Sequence, residues 1–390
     1  MMMVLINHLN NERQWIIYNF DFSRDIRFDL AFLAVPVCIG LVTLASIVPA
    51  ISIKNIAQNI RDFFQTQSNQ PISQSIGLLP QATDDIPSNS YQSPGLPRSH
   101  LLGSGPELSH KVVMYVSTGE LPGLPVSEIQ TYQIPVHYWR SFTYDVYTGL
   151  GWYTSFTHNE SFGRNKNALP NPLPARYVLT QKIKPVEDLG GILYASGDVI
   201  SVDAPYRISM REFEDPFGVT TRSKEYQATS SVLIMDADLL RKAGQKYPEW
   251  IKQRYLALPD DLHSRVRVLA ASLTVTASTP YDRAIAIETY LRKIPYTLDL
   301  GAPPAGKDVV DYFIFELRKG YCDYFASAMV VMARATGLPA RLAVGYASGA
   351  YDANNARYVV TEADAHSWVE IYFPNYGWVE FEPTSNRSEL

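Results

Sequence analysis

The chain has 390 residues, of which 46% are hydrophobic and 19% charged, with 34 Lys and Arg against 39 Asp and Glu. That near-neutral balance lacks the concentrated basic surface that nucleic-acid binding requires. Two cysteines, Cys38 and Cys322, exclude both a disulfide framework and a multi-thiolate zinc site.

Residues 1–29 read as a short polar tail. The stretch 30–53, LAFLAVPVCIGLVTLASIVPAISI, contains no charged residue. As a helix it would span about 36 Å at ~1.5 Å per residue, enough for a hydrocarbon core of about 30 Å. Pro36 and Pro49 are tolerable in a membrane helix, where neighbouring groups satisfy the freed backbone. Arg13, Arg24 and Arg27 precede the span, whereas Lys54 and Arg61 follow it closely. This slight bias predicts a cytoplasmic N-terminus, a single pass through the bilayer and an extracytoplasmic remainder. Cys38 then lies among lipid, a small hydrophobe with no assigned chemistry.

Residues 54–110 are rich in Ser, Pro, Gln and Asn and predict a stalk, too polar to offset its ordering entropy by burial. From 111 to 235, short runs such as KVVMYV, TYQIPVHYW, SFTYDVYTGLGWYTS and ARYVLTQKI alternate with Gly and Pro turns. They predict an all-β domain, an antiparallel sandwich or barrel. Trp139 and Trp152 could form a carbohydrate or peptide surface, although sheet core is the favoured reading.

Helical signals take over in 236–390. Thr279 followed by Pro280 and Asp282 marks a helix start, continued by an apolar stripe through Ala284, Ile287 and Leu291. Asp308 and Asp311 open another, which should run through Leu317 to a stop at Gly320. A helix over DYFASAMVVMARATG should turn Ala326, Met329, Val330 and Ala333 inward. ARLAVGY, RYVVTE, HSWVEIYF and GWVEFEP then predict strands, so that helices pack on a terminal antiparallel sheet in an α+β domain.

Cys322 opens the DYFASAM helix, where unpaired backbone N–H groups and the positive dipole end favour a thiolate. The same N–H groups could hold an oxyanion. Asp323 beside it acts in the opposite sense. An inert buried thiol is the common role of a cysteine, but an unpaired thiol outside the cytoplasm is an oxidation liability and argues for use. A thiolate nucleophile needs a base that also protonates the leaving group, and histidine suits neutral pH. Of seven histidines, His8 precedes the span, His100 lies in the stalk and His110, His137 and His158 in the β-rich region. His263 has basic neighbours. His366 alone begins an alternating strand in the same domain as Cys322, sharing a face with Trp368, Glu370 and Tyr372. A hairpin turning at Pro374–Tyr376 would set Trp368 opposite Glu382 and bring that carboxylate diagonally to His366. Asp364 is the rival orienting carboxylate, and Glu370 lies on the correct face but about 13 Å along the strand.

These residues together resemble the transglutaminase-like superfamily, in particular its bacterial membrane-anchored members. GYCDYFASAMVVMARATGLPARLAVGY is similar to the family's nucleophile helix and following R-x-x-x-G-Y strand, here Arg341 to Tyr346. DAHSWVEIYFPNYGWVEFEPT is similar to its histidine and acidic strands. The resemblance implies a papain/transglutaminase-like α+β fold, with Cys322 as nucleophile, His366 as base and acid, and Glu382 where the family usually carries Asp. It implies acyl transfer through a thioester on a protein or peptide substrate and includes both hydrolysis and cross-linking. Hydrolysis of peptide amides is the favoured reading, protein cross-linking the first alternative and an inert membrane-tethered binding domain the second. No cofactor or metal is implied, there being neither a Cys/His cluster nor a calcium-loop spacing. Relatives of this group commonly carry more spans, so a minimal version and a fragment of a longer protein both fit.

Overall fold

The computed structural model describes residues 96–387 apart from 107, 124–131, 170–172 and 212–214. The expected tail 1–29, membrane helix 30–53 and most of the stalk, together with Cys38, lie outside the described residues. Among the described residues no helix is long and apolar enough to cross a membrane.

The first half contributes β1 (Ser99–Leu101), β2 (Val112–Ser117), β3 (Tyr138–Tyr144), β4 (Val146–Tyr147), β5 (Gly151–Tyr153) and β6 (His158–Phe162). It continues with β7 (Arg176–Pro185), β8 (Asp198–Val202), β9 (Tyr206–Met210), β10 (Pro216–Thr221) and β11 (Tyr226–Leu233). Helices follow: α1 (Ala237–Arg241), α2 (Glu249–Tyr255), α3 (Ser264–Thr274), α4 (Pro280–Leu291), α5 (Val309–Tyr312) and α6 (Cys322–Ala335). The chain then returns to strands β12 (Ala340–Ala347), β13 (Ala350–Asp352), β14 (Arg357–Thr361), β15 (Ala365–Phe373) and β16 (Gly377–Phe381).

The helix starts read from the sequence are present. Thr279 accepts a hydrogen bond from the Asp282 amide at 3.1 Å, with Pro280 at the first position of α4. Asp308 caps α5 through the Val310 and Asp311 amides. The expected helix through Leu317 is only partly α: after Tyr312 the backbone widens into a π-turn, Phe313–Leu317, and Arg318 closes it at φ +52°.

The sheets do not respect a boundary at 235/236. One antiparallel sheet runs β16-β15-β12-β3-β10-β9-β6 and a second runs β13-β14-β2-β7-β11-β8. Each therefore mixes strands of the 111–235 stretch with strands after residue 336, and only a small third sheet, β1-β5-β4, is confined to the first half of the domain. The reason is the edge of β12. An exposed row of unpaired backbone groups on that edge is filled by β3, which pairs from Leu342 opposite Tyr144 to Ala347 opposite Tyr138. The ladder slips between Val344 and Gly345, and a Cβ at Gly345 would stand 2.1 Å from the Trp139 carbonyl oxygen. This close approach accounts for the glycine of the R-x-x-x-G-Y stretch.

The described end of the expected stalk is part of the folded domain. Residues 99–101 form β1, paired with β5, and both His100 and Leu102 are buried. Local composition missed this because three residues of strand pairing and a few apolar side chains do not outweigh the surrounding Ser and Pro. Trp139 and Trp152 are core residues, and the Trp152 indole N–H donates to Ser327 Oγ at 2.8 Å. Helix α6 is buried on every side from Asp323 to Arg334, not on one stripe alone. It is the central helix of the domain, enclosed by β12 and β15 on one side and by α3, α4 and α5 on others.

Candidate active site

Helix α6 begins at Cys322 itself, with Tyr321 as an extended N-cap at φ -120°, ψ 177°. The amides of Tyr324 and Phe325 return to the Tyr321 carbonyl, whereas those of Cys322 and Asp323 head the helix with no intrahelical acceptor. Cys322 is half-buried and its thiol is free. Cys322 thus combines access with the positive end of a long buried helix.

The hairpin forms as the spacing predicted. Phe373 pairs with Gly377 and the register runs back to Val369 opposite Phe381, so that Glu382 follows at the level of Trp368, diagonal to His366. Asn375 and Gly377 take the left-handed conformations at φ +70° and +78° that this tight turn needs. His366 Nε2 then meets Glu382 Oε2 at 2.6 Å, both side chains being almost wholly buried.

Burial disfavours the imidazolium, but the Glu382 carboxylate and a hydrogen bond with Cys322 outweigh it and push His366 up to about 9. Because Nε2 is committed to Glu382, Nδ1 is left for the thiol. Glu382 behaves conversely. Burial would raise it, but the His366 charge, the Thr384 amide at 2.9 Å and the Tyr138 hydroxyl hold it below the ordinary carboxylate range.

Both rival carboxylates are committed elsewhere. Asp364 closes a capping box, accepting from the Thr361 amide at 2.9 Å and its hydroxyl at 2.7 Å. Glu370 bridges Arg341 (Nε at 2.7 Å) and Arg140 (Nη1 at 2.6 Å) in the core. The structure therefore brings Cys322, His366 and Glu382 together and leaves Asp364 and Glu370 out.

Sequence reasoning missed three contributors. Tyr138 on β3 donates to the Glu382 Oε2 that also serves His366, and its ring stacks on Trp368 with centroids 4.6 Å apart. Ser367 donates to Asp323 Oδ1 at 2.6 Å. His100 approaches the other oxygen of Asp323 at 3.1 Å. Strand alternation placed Ser367 beside His366 and on the opposite face. Nothing local in HYWRSF or SHLLG signals the other two. Among the described residues, no cluster of His, Cys, Asp and Glu could hold a metal ion.

A half-exposed thiol at the head of a buried helix, with a buried His–Glu pair on the neighbouring strands, is the arrangement of cysteine enzymes built on this α+β core. The family model of the transglutaminase-like superfamily matches residues 267–383, the stretch that carries Cys322, His366 and Glu382. The uncharacterized protein YebA of Bacillus subtilis (strain 168) is 35% identical over 272 residues, which cover 63% of this chain and 37% of YebA. A protein-glutamine gamma-glutamyltransferase of Pseudomonas aeruginosa is 36% identical over 131 residues, covering 34% of this chain and 20% of that one. The chain thus spans well under half the length of these relatives. The crystal structure of the periplasmic domain of TgpA from P. aeruginosa superposes with a TM-score of 0.53 at 25% identity, covering 74% of this chain and 93% of that domain.

Proposed function

We propose that the protein is a cysteine acyltransferase acting on a glutamine side-chain amide through a Cys322 thioester. The observation that carries this reading is the Cys322–His366–Glu382 constellation at the head of α6, with the His366–Glu382 contact at 2.6 Å. The thiolate attacks the amide carbon, and the oxyanion that forms is received by the free amides of the first helical turn. The carbon–nitrogen bond breaks as His366 gives its proton to the departing ammonia, leaving the thioester. An amine or water then attacks the thioester, His366 takes the proton, and the thiol is regenerated. Glu382 holds the imidazole in one tautomer and orientation throughout.

The name of the P. aeruginosa relative favours glutamine as donor and an amine as acceptor over the hydrolysis expected from the sequence alone. Hydrolysis remains the second reading, because a half-exposed thiol admits water as readily as an amine. The test incubates the full chain with a glutamine-bearing protein and a fluorescent primary amine, following dye incorporation, ammonia release and peptide cleavage. Incorporation that vanishes in Cys322→Ala supports transamidation. Ammonia or cleaved peptide without dye supports hydrolysis. Absence of all three products from wild type would leave only the inert binding domain.

The same reading places residues 30–53 in a bilayer and the catalytic domain outside the cytoplasm. The description of the TgpA fragment as a periplasmic domain supports that orientation. Protease added outside intact cells should then degrade the region around Cys322.

A further inference from the structure

Asp323 presents a difficulty for the proposed nucleophile. Its carboxylate is buried immediately beside Cys322, and the thiol lies 3.8 Å from Oδ1. A carboxylate so close disfavours the thiolate and competes with His366 for the thiol hydrogen. The other oxygen, Oδ2, faces His100 Nε2 at 3.1 Å. His100 is 1% exposed, its ring lies 5.8 Å from that of Tyr144, and neither of its ring nitrogens has a hydrogen-bond partner of good geometry. A buried imidazole with no other polar partner is costly unless the carboxylate compensates it. The segment that carries it is fixed to the same helix end. The Tyr324 hydroxyl donates to the Gly103 carbonyl at 3.1 Å, and a Cβ at Gly105 would overlap the Leu298 carbonyl at 1.7 Å.

We propose that His100 is a positioning residue for the nucleophile, holding and charge-balancing the Asp323 carboxylate so that the Cys322 thiol is free to pair with His366. The inference rests on the acyl-transfer reading of the site. Around this pair the titratable groups are Cys322 on α6, His366 on β15, Tyr144 on β3, Tyr321 and Tyr324 flanking the helix start, and Tyr296 on the preceding loop. Of these, only His366 can also carry positive charge, and it is engaged by Glu382. Ser367 contributes a hydroxyl to Oδ1 but no charge. Burial would raise Asp323, yet His100, with Ser367 and His366, holds it below the ordinary carboxylate range. His100 is the contact on Oδ2, the oxygen that Ser367 leaves unengaged, so removing it changes how the carboxylate acts on the neighbouring thiol.

The test is the pH dependence of iodoacetamide alkylation at Cys322, read by peptide mass in the full chain, for wild type, His100→Asn, Asp323→Asn, the double variant and His366→Ala. In His100→Asn the uncompensated carboxylate should raise the thiol midpoint by about one pH unit, or about tenfold in rate below it. Asp323→Asn should lower the midpoint, and adding it to His100→Asn should restore reactivity to within about twofold of Asp323→Asn alone. A purely structural role for His100 would leave the double variant as slow as His100→Asn. That result, or a wild-type profile in His100→Asn, overturns the proposal. Should His100→Asn fail to fold by circular dichroism, Asp323→Asn decides alone, an unchanged or raised midpoint counting against the proposal. A profile indifferent to His366→Ala would refute the acyl-transfer site itself. A profile sensitive to His366 but not to His100 refutes this inference only.

Discussion

Tyr138 and Glu382 stand 244 positions apart in the chain, yet the Tyr138 hydroxyl donates to the same carboxylate oxygen that contacts His366. A strand from the first half of the domain thus completes the environment of a carboxylate at the end of the last hairpin. Tyr138→Phe removes one charge-assisted hydrogen bond from a buried acceptor, a loss of about 1.5–3 kcal/mol. Glu382 should then titrate closer to its ordinary range. A depressed carboxylate contributes stability that is full above its unfolded pKa and lost as pH falls through its folded one. The acid unfolding midpoint of Tyr138→Phe should therefore rise, as read by circular dichroism against pH.

The pairing with Glu382 sets how far the imidazolium persists on the alkaline side. His366 is pushed up to about 9, so its contribution to stability is complete below an unfolded value near 6.5 and disappears as pH rises through about 9. Glu382→Gln keeps the shape of the side chain and removes the charge. The alkaline limb of turnover should move to lower pH, with a fall in kcat of about 10²–10⁴-fold, the usual worth of acid–base catalysis. An alkaline limb that stays in place would show that Glu382 does not set the His366 charge.

Glu370 shows the opposite case, a carboxylate on the face of the histidine strand with a purely structural task. Its two oxygens are held by Arg140 and Arg341, and Arg341 reaches on to Asp215 at 3.0 Å. Breaking one side of a buried pair costs about 3–5 kcal/mol because a charge remains uncompensated. Glu370→Gln should lower Tm accordingly in a thermal melt, while the alkylation profile of Cys322 in the folded fraction keeps its midpoint.

Gly345→Ala tests the seam between the two halves of the chain. Its new Cβ would meet the Trp139 carbonyl oxygen at 2.1 Å, and backbone has little room to yield. A loss of about 1–3 kcal/mol or more is expected. Because Trp139 adjoins Tyr138, the damage should reach the thiol, visible as slower alkylation alongside a lower Tm.

What the sequence determined by itself was local. The caps at Thr279 and Asp308, the helix opening at Cys322, the alternation of β15 and the turn at Pro374–Tyr376 all follow from side-chain spacing and backbone preferences within a few residues. That sufficed to bring Cys322, His366 and Glu382 into one hypothesis, because a hairpin register fixes which cross-strand residues meet. Tertiary structure decided everything that depends on contacts between distant segments. It joined β3 to β12 and so dissolved the expected boundary at 235/236. It buried His100 beside Asp323 and Tyr138 beside Glu382, and it gave Glu370 two arginine partners from other strands. Pairings of this kind carry no periodic signal in the chain. They arise because an open sheet edge and a buried charge must each find a partner, and only the folded protein determines which segment supplies it.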